Sequence, residues 1–359
     1  MPRALAPSRP LSTPTGARQS NVSRSSVRFR PAGRRDDRSF RCRRQGGTMR
    51  FILGLPTDDV HRREEFGTVE AVADMARAAE RLGYEGVYVT DHPIPPQRFI
   101  ETGGHHALEP TVVLAVAAAA TTRLRLMTNL YIVAYRNPFL AAKAIASLDS
   151  LSGGRVILGT GAGYLEPEFR ALGADFDARN DRLDDALDLM KRVWSGEVVD
   201  VVGPGYEAHG HVALPTPAAA PHPPIWIGGN TGRALRRVAE QGNGWIPMPA
   251  PRKFAKFVRS APLETLDDLR TKIATLHELA AAAGREGPFD IMFAPMGLAP
   301  YGHPAFDAAA YADGLAELAG LGVTYSGIAF SHPGSGALES RAQFLELAEG
   351  FARDVIDAQ

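Results

Sequence analysis

From Met49 onward the chain alternates short β-branched runs with longer amphipathic stretches, and this rhythm limits the fold more than any other feature. Strands are expected at Arg50–Leu55, Gly86–Thr90, Leu124–Leu130, Arg155–Leu158, Pro224–Ile227, Trp245–Pro247, Asp290–Ala294 and Thr324–Ala329. Helices are expected at Val69–Arg81, Pro110–Ala120, Pro138–Leu151, Arg182–Trp194, Gly232–Gln241, Leu266–Ala283, Ala305–Leu318 and Ser340–Ile356. In the first of these, Val72, Met75, Ala76, Ala79 and Leu82 recur at the spacing of a helix packed on a sheet. Strands separated by helices run parallel, because each crossover needs room for a helix. Eight such units over residues 49–359 suit a (β/α)8 TIM barrel, typically about 250 residues plus insertions. A doubly wound open sheet is the alternative. One segment, Gly196–Pro223, breaks the rhythm and reads as a small hairpin excursion between strands four and five, ending in a proline-rich loop. In a barrel of this kind the chemistry gathers where the strands end.

Charge divides the chain at the same point. Residues 1–48 hold twelve Arg, no Lys and two acids, Asp36 and Asp37, a sum of +10. The formal charge of the whole chain is zero, so residues 49–359 carry −10. That acidic body is not a nucleic-acid binder by charge. The sole cysteine, Cys42, lies in the arm, which excludes an intrachain disulfide and a thiolate metal site. No run approaches the roughly 20 apolar residues of a membrane span, and a cytoplasmic protein is expected. The Arg-, Ser- and Pro-rich arm lacks apolar periodicity and is expected to be disordered. It reads as a transit peptide, as a basic tail for nucleic acid, or as an over-extended reading frame whose true start is Met49. The last reading is the one favoured.

Several strand ends carry candidate residues. The second is followed by Thr90, Asp91, His92 and Pro93, a carboxylate and an imidazole suited to proton handling or to holding a ring cofactor. A helix-capping Asp beside an incidental His is the other reading. The third ends at Thr128-Asn129-Leu130-Tyr131, where a bulge would re-aim the backbone. The fourth runs into the glycines Gly159, Gly161 and Gly163 and then an acidic helix start with Glu166 and Glu168. The fifth ends at Gly228-Gly229-Asn230-Thr231-Gly232. Strand-to-helix turns of this type aim backbone N–H groups at one point, where a phosphate can sit, although glycines also serve turns that bind nothing. Two on adjacent strands strengthen the case. His105, His106, His209 and His211 have no carboxylate or cysteine partner at metal-ligand spacing, so they read as loop histidines and no metal is expected. Ser331 and His332, after the eighth strand, are candidate rim residues.

Taken together, GYEGVYVTDHP, MTNLYIVAYRNPFLAAKAIASLDSLSGGRVILGTGAGYLEPEFRALG and PIWIGGNTGRALRRVAEQGNGWIP resemble the luciferase-like monooxygenase superfamily, in particular its branch of oxidoreductases dependent on coenzyme F420. The resemblance covers Met49 to Gln359 and none of the arm. It implies a deazaflavin (F420) or alternatively FMN lying across the C-terminal mouth of the barrel. Asp91 and His92 would stand beside the reactive ring, with His92 as proton donor or acceptor and Asp91 as its orienter. A cis peptide at Asn129–Leu130, after Thr128, would back the ring. Gly161, Ala162, Gly163 and Tyr164 would hold the phosphate together with Gly228, Gly229, Asn230, Thr231 and Gly232. The implied reaction is hydride transfer between the deazaflavin C5 and a small-molecule substrate lying under Asp58–His61 and the Pro93–His106 loop. Alternatives are an FMN-dependent monooxygenase using oxygen and a partner reductase, or a non-catalytic flavin-binding barrel. An F420- or flavin-reducing enzyme is the implied partner, and a homodimer the implied assembly. Two departures narrow the reading. Ala162 stands where the sugar-phosphate-oxidising branch has an acidic residue, and Ala294–Pro304 is too short for the strand-seven insertion of true luciferases.

Overall fold

Residues 48–330 and 338–359 are described by a computed structural model of the chain; the arm and the Ser331–His332 pair lie outside the described residues. Ten strands occur in this part: β1 (Arg50–Gly54), β2 (Gly86–Val89), β3 (Arg125–Thr128), β4 (Val156–Thr160), β5 (Val199–Gly203), β6 (Tyr206–His211), β7 (Ile225–Gly228), β8 (Gly244–Ile246), β9 (Asp290–Ile291) and β10 (Tyr325–Ile328). Eight of them form one parallel sheet in the order β10-β1-β2-β3-β4-β7-β8-β9. Register is carried by pairs such as Val87 opposite Leu126 and Leu158 opposite Ile225. The two ends of the sheet meet through a parallel bridge between Met292 and Tyr325, supported by Phe293 N–H donating to the Tyr325 carbonyl at 2.9 Å. The sheet is therefore a nearly closed barrel wrapped by helices, and the open doubly wound sheet is excluded. β5 and β6 pair antiparallel as the expected hairpin, turning at Gly205 with φ +82°, a left-handed conformation that glycine adopts freely.

Local chemistry sets the helices. Thr68 accepts a hydrogen bond from the Ala71 amide and starts Val69–Arg81, which buries Ala71, Val72, Met75, Ala76 and Ala79. Asn137 caps Pro138–Ser152, with proline in its first turn, and Gly153 at φ +70° ends it. A reciprocal box between Thr265 and Asp268 opens Leu266–Ala282.

The barrel interior is filled by Ile52, Met127, Ile157, Trp226, Ile246, Met292 and Tyr325, a cluster separate from the larger one between strands and helices. Tyr88 and Leu130 pack on this plug from the C-terminal end. The interior is a core rather than a channel, which leaves the mouth as the place for a ligand.

Several boundaries differ from expectation, among them the ends of β3, β4 and the last helix. β3 stops at Thr128, just before the Asn129–Leu130 peptide, which is cis. β4 continues through Gly159 and Thr160, although Gly159 reads as the first residue of a turn. A Cβ on Gly159 would lie 2.1 Å from the Thr128 carbonyl oxygen, so close strand approach requires this glycine. The last expected helix ends at Phe351 and finishes as a π turn, Ala352–Ile356. Short helices at Gln97–Glu101, Glu166–Ala171 and Arg252–Phe257 sit in the connections that follow β2, β4 and β8.

Candidate active site at the barrel mouth

His92, just beyond β2, is partnered by Glu168 from the short helix after β4. Its Nδ1 lies 3.1 Å from Glu168 Oε2, while Glu168 Oε1 accepts from the Ile94 amide at 3.1 Å. A carboxylate oxygen accepts in this contact, so Nδ1 carries the hydrogen and Nε2 is left without that partner. The Tyr164 hydroxyl stands 3.5 Å from that Nε2. Burial, reinforced by Glu168, pushes the Tyr164 hydroxyl up to about 12, which keeps it protonated at neutral pH. The pair is well shielded, with side-chain exposures of 10% for His92 and 3% for Glu168.

The expected Asp91–His92 partnership is corrected by this geometry. Both Asp91 oxygens are taken by a bidentate fork from Arg136, at 2.6 and 2.9 Å. Oδ2 also accepts from the Tyr135 hydroxyl at 3.1 Å and the Ile132 amide at 3.0 Å. Arg136 lies 3.9 Å over the Tyr131 ring. Burial alone would lower the Arg136 guanidinium, but its bonds to Asp91 outweigh that and hold it above its ordinary value. Asp91 thus clamps the Ile132–Arg136 segment to the end of β2, and Glu168 is the carboxylate that orients His92.

Beneath the mouth lies Leu130, on the cis peptide that the resemblance implies. A Cβ on Gly228 would meet Leu130 Cδ1 at 2.3 Å, and one on Gly161 would meet it at 2.9 Å. These glycines, at the end of β7 and just past β4, clear the space that Leu130 fills. Gly163, at φ +80°, also packs where a Cβ would strike the Phe169 ring at 2.7 Å. The Thr128 hydroxyl is buried and donates to the Gly159 carbonyl at 2.9 Å, so its side chain serves the sheet.

The two glycine turns are not equivalent. Gly161–Tyr164, including half-buried Ala162, leads into a six-residue helix whose first turn carries Glu166 and Glu168. Acidic groups there oppose an anion. Gly228–Gly232 opens the ten-residue helix Gly232–Gln241, which has no acid in its first turn and is capped by Thr231 through the Ala234 amide at 3.2 Å. Its first amides have no carbonyl one turn back to bond, and a Cβ on Gly232 would meet nothing within 4 Å. Asn230 is fully buried, and its side chain is spent internally: it donates to the Met248 and Ala261 carbonyls at 2.7 and 3.1 Å and accepts from the Met248 amide at 3.0 Å. An apolar side chain at Leu130, an imidazole at His92 and the bare amides opening the Gly232 helix are, as a set, suited to a planar ring cofactor with a phosphate ester.

At the rim, Asp58 and His61 from beyond β1 do meet the loop after β2. Asp58 is 3.9 Å from His105, and the His61 and His106 rings lie edge to face at 6.2 Å. Among the described residues no cluster of three or more His, Cys, Asp or Glu is arranged to hold a metal ion. Likewise, no helix of the described residues is long and apolar enough to cross a membrane. Sequence reasoning assigns Glu168 only to an acidic helix start and Arg136 only to a motif. The bonds that define them span 76 and 45 residues, so no local signal carries them.

A family model described as luciferase-like monooxygenase matches residues 49–349. An uncharacterized protein of Mycobacterium tuberculosis is 30% identical over 293 residues, covering 78% of this chain and 93% of that protein. The F420-dependent hydroxymycolic acid dehydrogenase of the same species is 33% identical over 186 residues, 51% of this chain and 50% of its own length. A monooxygenase from Streptomyces bottropensis shares the fold, with a TM-score of 0.67 at 20% identity over 86% of this chain and 99% of that one.

Proposed function

The chain belongs to the luciferase-like monooxygenase family, and from that premise we propose that it is an oxidoreductase using coenzyme F420 to move a hydride to or from a small organic substrate. The observation that carries this reading is the shielded His92–Glu168 pair beside the Leu130 floor. The F420-dependent relative, matched over half its length, supports the choice of cofactor. When bound, a deazaflavin supplies hydride exchange at its C5 and reacts poorly with oxygen. The protein's own share is positioning and proton handling. The amides opening Gly232–Gln241 would hold the phosphate, and Gly161–Tyr164 would border the ring. Leu130, after Thr128 and Asn129, would support it. Glu168 fixes the His92 tautomer so that Nε2 gives a proton to, or takes one from, the substrate heteroatom, with the Tyr164 hydroxyl as a nearby donor. Asp91 acts at one remove, by fixing the segment that follows Leu130.

Fluorescence titration with F420 and FMN in parallel tests the cofactor. Saturable F420 binding with weak FMN binding supports the reading. Tight binding of reduced FMN with oxygen consumption, and no F420 affinity, replaces it with an FMN-dependent monooxygenase served by a reductase. His92→Ala is expected to keep F420 affinity and lose about 10²–10⁴ in turnover.

A further inference from the structure

His92 has one nitrogen, Nε2, not committed to Glu168; the Tyr164 hydroxyl stands 3.5 Å from it, and a second imidazole packs against the ring. Nδ1 is committed to Glu168 and the side chain is 10% exposed, so a substrate over Nε2 cuts the ring off from water. His105 places its ring edge-on to His92 with centroids 4.9 Å apart, yet its own side chain is 37% exposed. Nδ1 of His105 donates to the His106 carbonyl at 2.8 Å, which fixes that hydrogen and leaves Nε2 to take a second proton. Asp58 Oδ2 stands 3.9 Å from the same Nδ1. The arrangement repeats the one at His92: an oxygen acceptor holds Nδ1–H, and Nε2 is the exchanging atom.

We propose that His105, set by Asp58, is the proton outlet that connects buried His92 with solvent. The proposal rests on the hydride-transfer reading above. In the oxidising direction the substrate C–H bond breaks and its hydrogen leaves with the electron pair to the oxidised deazaflavin. The substrate O–H bond breaks, its proton passes to His92 Nε2, and the C=O bond forms. His105 takes that proton and releases it to water; in the reducing direction the same steps run backward. His105 touches neither substrate nor cofactor in this scheme and is a positioning and relay residue.

The surroundings agree. The groups facing the pair are the Tyr88 phenol from β2, Asp59 beside Asp58, and Phe99, His106 and His92 around the His105 ring. Tyr88 is pushed up by burial and by Asp58, so it stays neutral and does not compete for the proton. Burial raises Asp58 above the usual carboxylate range, and His105 works against that rise, as expected of partners.

Two measurements decide the matter. The first is the NMR spectrum of the histidine rings in the full-length, cofactor-free protein. Asp58→Asn is expected to move the His105 ring signals and to leave those of His277, on the Leu266–Ala282 helix, in place; unmoved His105 signals overturn the pairing, whatever the cofactor. The second is turnover with F420 in dilute buffer. His105→Gln is expected to fall about tenfold with F420 affinity unchanged, and added imidazole is expected to restore the rate, as it would for a missing proton carrier. A loss that imidazole does not restore assigns His105 a structural role and overturns the outlet. If His92→Ala also keeps full turnover, the hydride-transfer reading fails and the outlet falls with it, while the ring signals still report on the Asp58–His105 contact.

Discussion

Replacing Gly228 by alanine puts one methyl group where Leu130 already is. The new Cβ would lie 2.3 Å from Leu130 Cδ1 and 3.1 Å from Cδ2, well inside contact distance, so the leucine has to move. Overpacking of this kind costs about 1–3 kcal/mol. Gly161→Ala meets the same atom at 2.9 Å and is expected to cost less, at the lower end of that range. Leu130→Ala by itself removes three carbons from a half-buried side chain. At about 0.8 kcal/mol per buried methylene, with roughly half the chain covered, the loss is about 1–1.5 kcal/mol. In the double variant the alanine at 228 occupies space the leucine has vacated. Its stability is expected to match that of Leu130→Ala alone, a coupling of about 1–3 kcal/mol. Urea unfolding of the wild type, both single variants and the pair measures this directly. F420 titration of the same proteins reads the mouth: Gly228→Ala drives Leu130 toward the ring position and is expected to weaken binding, and Leu130→Ala to relieve it. Additive costs, within about 0.5 kcal/mol, would falsify the claim that these glycines exist to admit Leu130.

Asp91→Ala strands a largely buried Arg136 and is expected to destabilise the protein by about 3–5 kcal/mol in chemical denaturation, whereas Arg136→Lys loses the fork and falls in between. Glu168→Gln keeps the shape of the pair but weakens the hold on Nδ1; kcat is expected to fall more than KM changes, and its pH dependence to shift. Asp58 has its pKa raised in the folded state, mainly by burial, so the fold favours the neutral acid. That contribution is complete below the ordinary carboxylate range and is lost as pH rises through the raised folded-state value. Asp58→Asn is therefore expected to raise Tm at pH 7.5 by more than at pH 4.5, and an equal gain at both would contradict the burial argument. Asp184 behaves oppositely: burial raises it, but Arg237 and Arg233 together bring it below its ordinary value. Its stabilisation is present above the ordinary carboxylate range and lost in acid, so Asp184→Asn is expected to lower Tm at neutral pH and to lose that effect as pH falls.

Periodicity made the barrel legible because each strand–helix unit is a local pattern, and the Val69–Arg81, Pro110–Ala120 and Gly232–Gln241 helices match expectation residue for residue. Gly159 shows where such reading fails. A glycine followed by two more looks like a turn, and only the neighbouring strand's carbonyl reveals that it belongs to β4. The site was legible in type but not in pairing. His92 is visible from its place after a strand. Its true partner is hidden, because Glu168 reads only as part of an acidic helix start and lies 76 residues away, and the adjacent Asp91 is the obvious but mistaken choice. The cis peptide at Asn129–Leu130 came from resemblance, since nothing in the chemistry of Asn and Leu asks for it.

Asn230 ties the Gly228–Gly232 turn, proposed above to hold a phosphate, to the segment after β8, through both carbonyls that its amide group reaches and a backbone bond to Ser260. Insertions or exchanges between Met248 and Ala261 therefore do not alter substrate range alone. They pull on the start of the Gly232 helix, so a newly shaped rim is inherited together with a changed grip on the cofactor. Any redesign of that loop has to keep the Met248 and Ala261 carbonyls in place, or accept cofactor affinity as the quantity that moves first.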